Sequence, residues 1–209
     1  MAEQLAESGN LESTTVGIFR TASTTKGGKN FSFGALVVVG DRAGQVGIGY
    51  GKGRGVPNAI EKAQKDAKKN MVTVNLKDGT LPHVVNGKFC ASKVRLIPAA
   101  PGTGVIAGGT VRAVLEMAGV HDCLTKAYGS TNKLNLCKAV LDGLLSLRTR
   151  ESVAALRGVE IASSSVEEML AAAKKSVDAA AAPAAAKPAE AATAVAEAPA
   201  EESEKPAAE

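Results

Sequence analysis

From Thr15 to Tyr50 the apolar residues fall in short dense runs with period-two stretches, separated by glycine and charge. Thr15 to Thr25, rich in β-branched residues and carrying Phe19, reads as a strand, and Phe31 to Val39 as a second. The two pair antiparallel across a turn at Lys26–Asn30. A tight turn at Asp41-Arg42-Ala43-Gly44 leads to a third strand, Gln45 to Tyr50, completing a meander. The period then changes. Val56, Ile60, Ala63, Ala67 and Met71 recur at helical spacing, with Pro57 in the first turn. Lys62, Lys65, Lys68 and Lys69 fall across the other side, so the first module is βββα and occupies residues 11–74.

A second set of elements follows. Val72 to Leu76 and Thr80 to Val85 flank a Lys77-Asp78-Gly79 turn, and Asn86-Gly87 is the hairpin signal between Thr80–Val85 and Lys88–Pro98. A long loop, Pro98 to Gly109, opens a helix with a Val111, Val114, Leu115, Ala118 stripe closed by Gly119. Val120 to Tyr128 reads as a strand. Ser130 or Thr131 is the expected cap of a last helix that turns Cys137, Val140, Leu141, Leu144 and Leu145 inward. This is an α+β module over residues 75–150. Residues 1–10 are expected to form a mobile arm and 151–177 a helical extension. The Ala/Pro/Glu-rich stretch 178–209 lacks any core-forming pattern and is expected to be disordered.

Composition sharpens this picture in two ways. There is no Trp and aromatics are 3%, so Ala, Val, Ile and Leu must build the core. The net charge of +4 is unevenly spread: residues 178–209 carry −5, while Arg20 to Arg95 hold 14 basic against four acidic side chains. Concentrated positive charge of this kind is the footprint of a polyanion binder. Cys90, Cys123 and Cys137 have no paired spacing and read as buried thiols of a reducing compartment. No apolar run is long enough to span a membrane, and the polar, acidic start is unlike a secretion signal, so a cytoplasmic protein is expected.

Candidate chemistry is sparse. The glycine run Gly47, Gly49, Gly51, Gly53, Gly55 carries Lys52 and Arg54, but Val46 stands where a P-loop requires glycine and Gly53 where it requires Ser or Thr. Gly102-Thr103-Gly104-Val105-Ile106-Ala107 matches G-x-G-x-x-A, yet it follows a hairpin rather than opening a parallel sheet. It leaves a nucleotide-dependent enzyme as the alternative reading. Lys29-Asn30-Phe31-Ser32-Phe33 echoes one aromatic strand of an RNA recognition motif without its partner strand. No metal-ligand spacing or catalytic set is visible, and no cofactor is expected. What survives is electrostatic: glycine-flanked cations that let backbone approach phosphates. The candidate RNA-binding residues are Arg20, Lys26, Gly27, Gly28, Lys29, Lys52, Arg54, Lys62, Lys65 and Lys69. A three-stranded sheet backed by a helix suits double-stranded RNA recognised by shape.

The segments KGG-x-x-FSF, VVGD, VGIGYGK, VPNAIEKA, GTGVIAGGTVRAVLEMAGV and YGST closely resemble the bacterial form of the small-subunit ribosomal protein number five family. The resemblance spans about residues 11–170. It implies a double-stranded-RNA-binding-like first domain and a ββαβα second domain. It also implies a non-enzymatic protein that binds small-subunit rRNA near the junction of head and body. Such a protein contacts small-subunit proteins numbers four and eight and supports translational accuracy, without a membrane or a small-molecule substrate. The RNA-facing loop of the family corresponds to Lys26, Gly27 and Gly28, with Lys29 keeping a charge where arginine is common. Ser23 stands where a further basic residue is frequent, and Gly53 and Gly55 replace the usual alanine and glutamate.

Overall fold

The computed structural model describes residues 11–159 and 166–173. The expected arm at 1–10 and the expected disorder over 178–209 lie outside these residues. Strands β1 (Glu12–Thr25), β2 (Gly28–Gly40) and β3 (Gln45–Gly53) form the meander, helix α1 (Val56–Lys69) follows, and β4 (Met71–Thr73) returns beside β3. All pairings in this sheet are antiparallel. Val72 therefore belongs opposite Val46 in the first sheet, not to the second hairpin expected from its sequence.

β2 is apolar on both faces, because both are covered. Phe33, Ala35, Val37 and Val39 point toward α1 and join Ala59, Ala63 and Ala67 in one cluster. Leu36 and Val38, with Val46 and Ile48 of β3, point the other way into a larger cluster shared with the rest of the chain. Alternation along a strand sends successive side chains to opposite faces, so a near-continuous apolar run is what a sheet buried on both sides needs.

The glycine run proves to be part of this packing. A Cβ added at Gly47, Gly49 or Gly51 would overlap the carbonyl oxygens of Ala67, Ala63 and Ala59 respectively, and one at Gly53 would crowd the Ala59 nitrogen. β3 thus presents bare backbone to α1, and α1 answers with alanine at every fourth position. The buried stripe is Ala59, Ala63 and Ala67: it keeps Ala63 and Ala67 of the expected line and adds Ala59, one position before Ile60. Val56 and Ile60 flank it half-buried, and Met71 lies beyond the helix. Only residues without long side chains allow helix and sheet to come this close.

The second sheet has strand order β5-β6-β8-β7. It comprises β5 (Val85–Phe89), β6 (Ser92–Pro98), the two-residue β7 (Val105–Ile106) and β8 (Cys123–Gly129), with α2 (Gly109–Ala118) as the crossover between the parallel neighbours β7 and β8. α3 (Lys133–Leu145) and α4 (Arg150–Arg157) complete the order. The ββαβα expectation holds, with β7 added before α2.

Several local expectations shift. Asn86-Gly87 is not a turn: both residues lie inside β5, and the chain reverses at Cys90-Ala91, with Cys90 at φ 52°. Gly87 serves close approach instead, since a Cβ there would overlap the Ala139 carbonyl oxygen of α3. The Lys77–Thr80 turn does form, with φ of 48° at Asp78 and 76° at Gly79, but only an isolated bridge flanks it. β8 begins at Cys123. The cap of α3 is Asn132, whose side chain accepts a hydrogen bond from the Leu134 amide, rather than Ser130 or Thr131. Leu145, expected inside, is 55% exposed. Gly119 ends α2 as expected, at φ 90°, with Gly119 and Val120 amides donating to Glu116 and Leu115 carbonyls.

The two sheets are joined through α2. The Arg42 amide, in the β2–β3 turn, donates to the Met117 carbonyl at 3.1 Å, and a Cβ at Gly40 or Gly119 would overlap Met117 or Arg42 backbone. Asp41 holds that turn by accepting from the Ala43 and Gln45 amides, each at 2.8 Å. Farther along, residues 166–173 are helical, with Val166 and Leu170 buried, and Glu167 bridges to Lys77 and to Arg150.

Candidate nucleic-acid interface

β3 stops pairing at Phe33↔Gly53, but β1 and β2 continue together as far as Thr25↔Gly28. Thr21 to Ser32 therefore projects as a two-stranded ribbon. Its turn is tighter than the expected Lys26–Asn30 stretch, because Gly28, Lys29 and Asn30 are already paired. Only Lys26 and Gly27 are unpaired, and Gly28 takes φ 131°, a conformation that favours glycine. The Thr25 hydroxyl donates to the Gly28 carbonyl at 3.0 Å and staples the tip. Lys26, Gly27, Gly28 and Lys29 are all exposed, and a Cβ at Gly27 or Gly28 would meet no atom within 4 Å. Among the described residues none forms an ion pair with Lys26 or Lys29.

At the ribbon's base the Arg20 guanidinium lies 3.7 Å from the centroid of Phe31, which is 46% exposed. This cation–π contact stiffens the arginine and is worth about 0.5–1 kcal/mol at such a site. Arg20, Phe33 and Gly53 form one cross-strand row, so Arg20 stands two strand spacings, or about 10 Å, from the start of the α1 loop.

Beyond Gly53 a cleft of about 400 Å³ is lined by Gly53, Arg54, Asn58, Glu61, Lys62 and Lys65. It brings together three of the residues expected from the sequence: Arg54, Lys62 and Lys65. Asn58 is an addition to that set, although its place four before Lys62 and seven before Lys65 is a visible helical signal. Lys69 continues the same stripe but sits about 16 Å along the helix from Asn58, at a C-terminal end whose dipole already favours cations. Lys52 is exposed on the opposite face of β3 from the glycines that meet α1, so the structure separates it from Arg54.

The rival glycine loop is built differently. Gly102 and Gly104 adopt φ of 88° and 74°, the Gly104 amide donates to Asp122 at 2.8 Å, and the strand that follows has two residues. A dinucleotide fold needs a full parallel strand leading into that loop. Among the described residues no group of three His, Cys, Asp or Glu side chains could hold a metal ion, and no helix is long and apolar enough to cross a membrane. Burial pushes the Cys123 thiol up to about 11 and Cys137 to about 12, so neither is a nucleophile at neutral pH. Cys90, expected to be buried, is exposed at its turn.

Comparison with known proteins gives the family. The family model described as "Ribosomal protein S5, N-terminal domain" matches residues 11–75, and that described as "Ribosomal protein S5, C-terminal domain" matches residues 87–157. The small ribosomal subunit protein uS5 of Vibrio cholerae serotype O1, in each of three strains, is 52% identical over 159 residues, covering 76% of this chain and 95% of the relative. The chain belongs to the ribosomal protein S5 family. The S5 N-terminal match contains the whole ribbon, its Lys26–Lys29 tip and the α1 lysines, and the C-terminal match contains the second sheet from Gly87 onward.

Proposed function

We propose that this chain is a structural, non-enzymatic component of the small ribosomal subunit in the cytoplasm, and that its projecting ribbon grips small-subunit rRNA. The family membership supports the ribosomal role, and the ribbon carries the choice of site: an exposed, cationic tip that no contact among the described residues explains. In this reading Lys26 and Lys29 neutralise phosphates while Gly27 and Gly28 let the turn press against the RNA backbone. Arg20 stands at the base, and Arg54, Lys62 and Lys65 form a second cationic point across the α1 cleft; Lys52 and Lys69 meet RNA at the margins. Contacts near the head–body junction, with small-subunit proteins numbers four and eight as neighbours and a contribution to translational accuracy, complete the proposal.

Equilibrium binding of the full chain to small-subunit rRNA across a salt series tests the site. The Lys26→Gln/Lys29→Gln protein should bind more weakly, with the log–log salt slope shallower by about two, one for each phosphate no longer neutralised. An unchanged affinity and slope would remove the ribbon from the interface.

A further inference from the structure

The second sheet has an open face. Val94, Leu96 and Pro98 of β6 are buried, so the alternate residues point outward, and strand pairing extends that outward set across the sheet. Three rows result. Lys88, Lys93 and Tyr128 lie side by side on β5, β6 and β8; Asn86, Arg95 and Lys126 form the next row; Ile97, Leu124 and Ile106 form the third. Neighbouring strands are about 4.8 Å apart and successive rows about 7 Å. All four cations are exposed and Tyr128 is 52% exposed.

Two of these pairings set like charges directly opposite each other, Lys88 against Lys93 and Arg95 against Lys126. Like-charged cross-strand pairs work against the sheet that holds them. No acidic residue occupies an outward position in these three rows, and among the described residues none of the four cations forms an ion pair. The face is self-repelling until an anion arrives.

We propose that this open face is a second RNA-binding surface, on which a strand of rRNA crosses β6 and β8 with its phosphates over Lys88, Lys93, Arg95 and Lys126 and a base against Tyr128. Charge favours RNA over a protein partner here. Protein interfaces are depleted of lysine, whereas nucleic-acid surfaces pair closely spaced cations with an aromatic ring that stacks on any base. This surface rests on the ribosomal reading above but uses none of the ribbon's residues.

The experiment compares four full-length proteins in the same rRNA salt series: the native chain, the ribbon variant Lys26→Gln/Lys29→Gln, the sheet variant Lys93→Gln/Arg95→Gln/Lys126→Gln, and Tyr128→Leu. The sheet variant should lose at least tenfold in affinity, with its salt slope shallower by about two to three, while its melting temperature holds or rises. Tyr128→Leu should weaken binding with the slope intact, and ultraviolet cross-linking of the native complex should map to the β8 peptide. A sheet variant that binds rRNA like the native chain, while the ribbon variant does not, overturns this inference and leaves the ribbon reading standing. So does a sheet variant whose only loss is binding to another small-subunit protein. A loss confined to the sheet variant upholds the inference and removes the ribbon instead.

Discussion

Gly49 shows how narrowly a single position can be specified. Its missing side chain is where the Ala63 carbonyl of α1 lies, so Gly49→Ala must lift the helix or bend the strand. Overpacking of this kind costs about 1–3 kcal/mol. We expect the upper end, because the atoms in the way, on Ala63 and Ala67, are all backbone, and a melting temperature lower by roughly 4–12 °C for a chain of this size. Gly27→Ala, by contrast, places its Cβ in open space and should melt with the native protein. The cysteines divide in the same manner. A thiol reagent at pH 8 should modify one cysteine of the folded chain, Cys90, and all three after denaturation. Unfolded thiols ionise near 9.0, but Cys123 and Cys137 hold their protons to about 11 and 12, so the folded state binds more protons above pH 9. Their contribution to stability is complete below pH 9 and declines as pH rises toward 12. A double Cys123→Ala/Cys137→Ala protein should show a flatter fall of melting temperature over that window.

Among the elements, the N-terminal meander and the helices are legible in the sequence because their periods are long and consistent. Thr15 to Tyr50 alternates or runs apolar over three strands, and Gly119 announces the end of α2. What misleads is glycine, whose two uses look alike in sequence. Asn86-Gly87 carries the strongest two-residue turn signal, yet Gly87 is inside a strand to make room for Ala139 of α3, and Cys90-Ala91, with no turn signature, makes the reversal. The Gly47–Gly53 series resembles a loop for phosphates and is a seat for a helix. In both cases tertiary approach decides the outcome, and no local pattern encodes which neighbour will arrive. The candidate cations divide for a related reason. The Lys26 tip is readable because a hairpin's end is exposed by construction, whereas the split of Lys52 from Arg54 depends on which face of β3 meets α1. Gly87→Ala tests the element-scale account: it should destabilise the protein by about 1–3 kcal/mol in denaturant unfolding, where a turn glycine with room around it would lose far less.

At the scale of the molecule the two sheets share one apolar interior. Leu36, Val38, Val46 and Ile48 of the first sheet pack in the same cluster as Leu96, Val114, Leu115 and Val140 of the second part. The proposed division between residues 74 and 75 is therefore open to a truncation test. A fragment ending at residue 75 would expose those four aliphatic side chains, forfeiting about 6–12 kcal/mol of burial, comparable to the entire stability of a typical domain. We expect it to lack a cooperative thermal transition by circular dichroism; a sharp transition would mean that the first sheet holds its own core. This shared interior is out of reach of the sequence, where both faces of β2 read simply as apolar. The bare seat between β3 and α1 has a last consequence. Because backbone rests on backbone, there is no side chain to compress or rotate, and the height of the helix above the sheet is set as by a mechanical stop. The Lys62 and Lys65 ammonium groups ride on that helix and Arg20 on the sheet, so the glycines act as a spacing gauge for charges they never touch. Substituting one of them should detune rRNA affinity while leaving every cation in the chain in place.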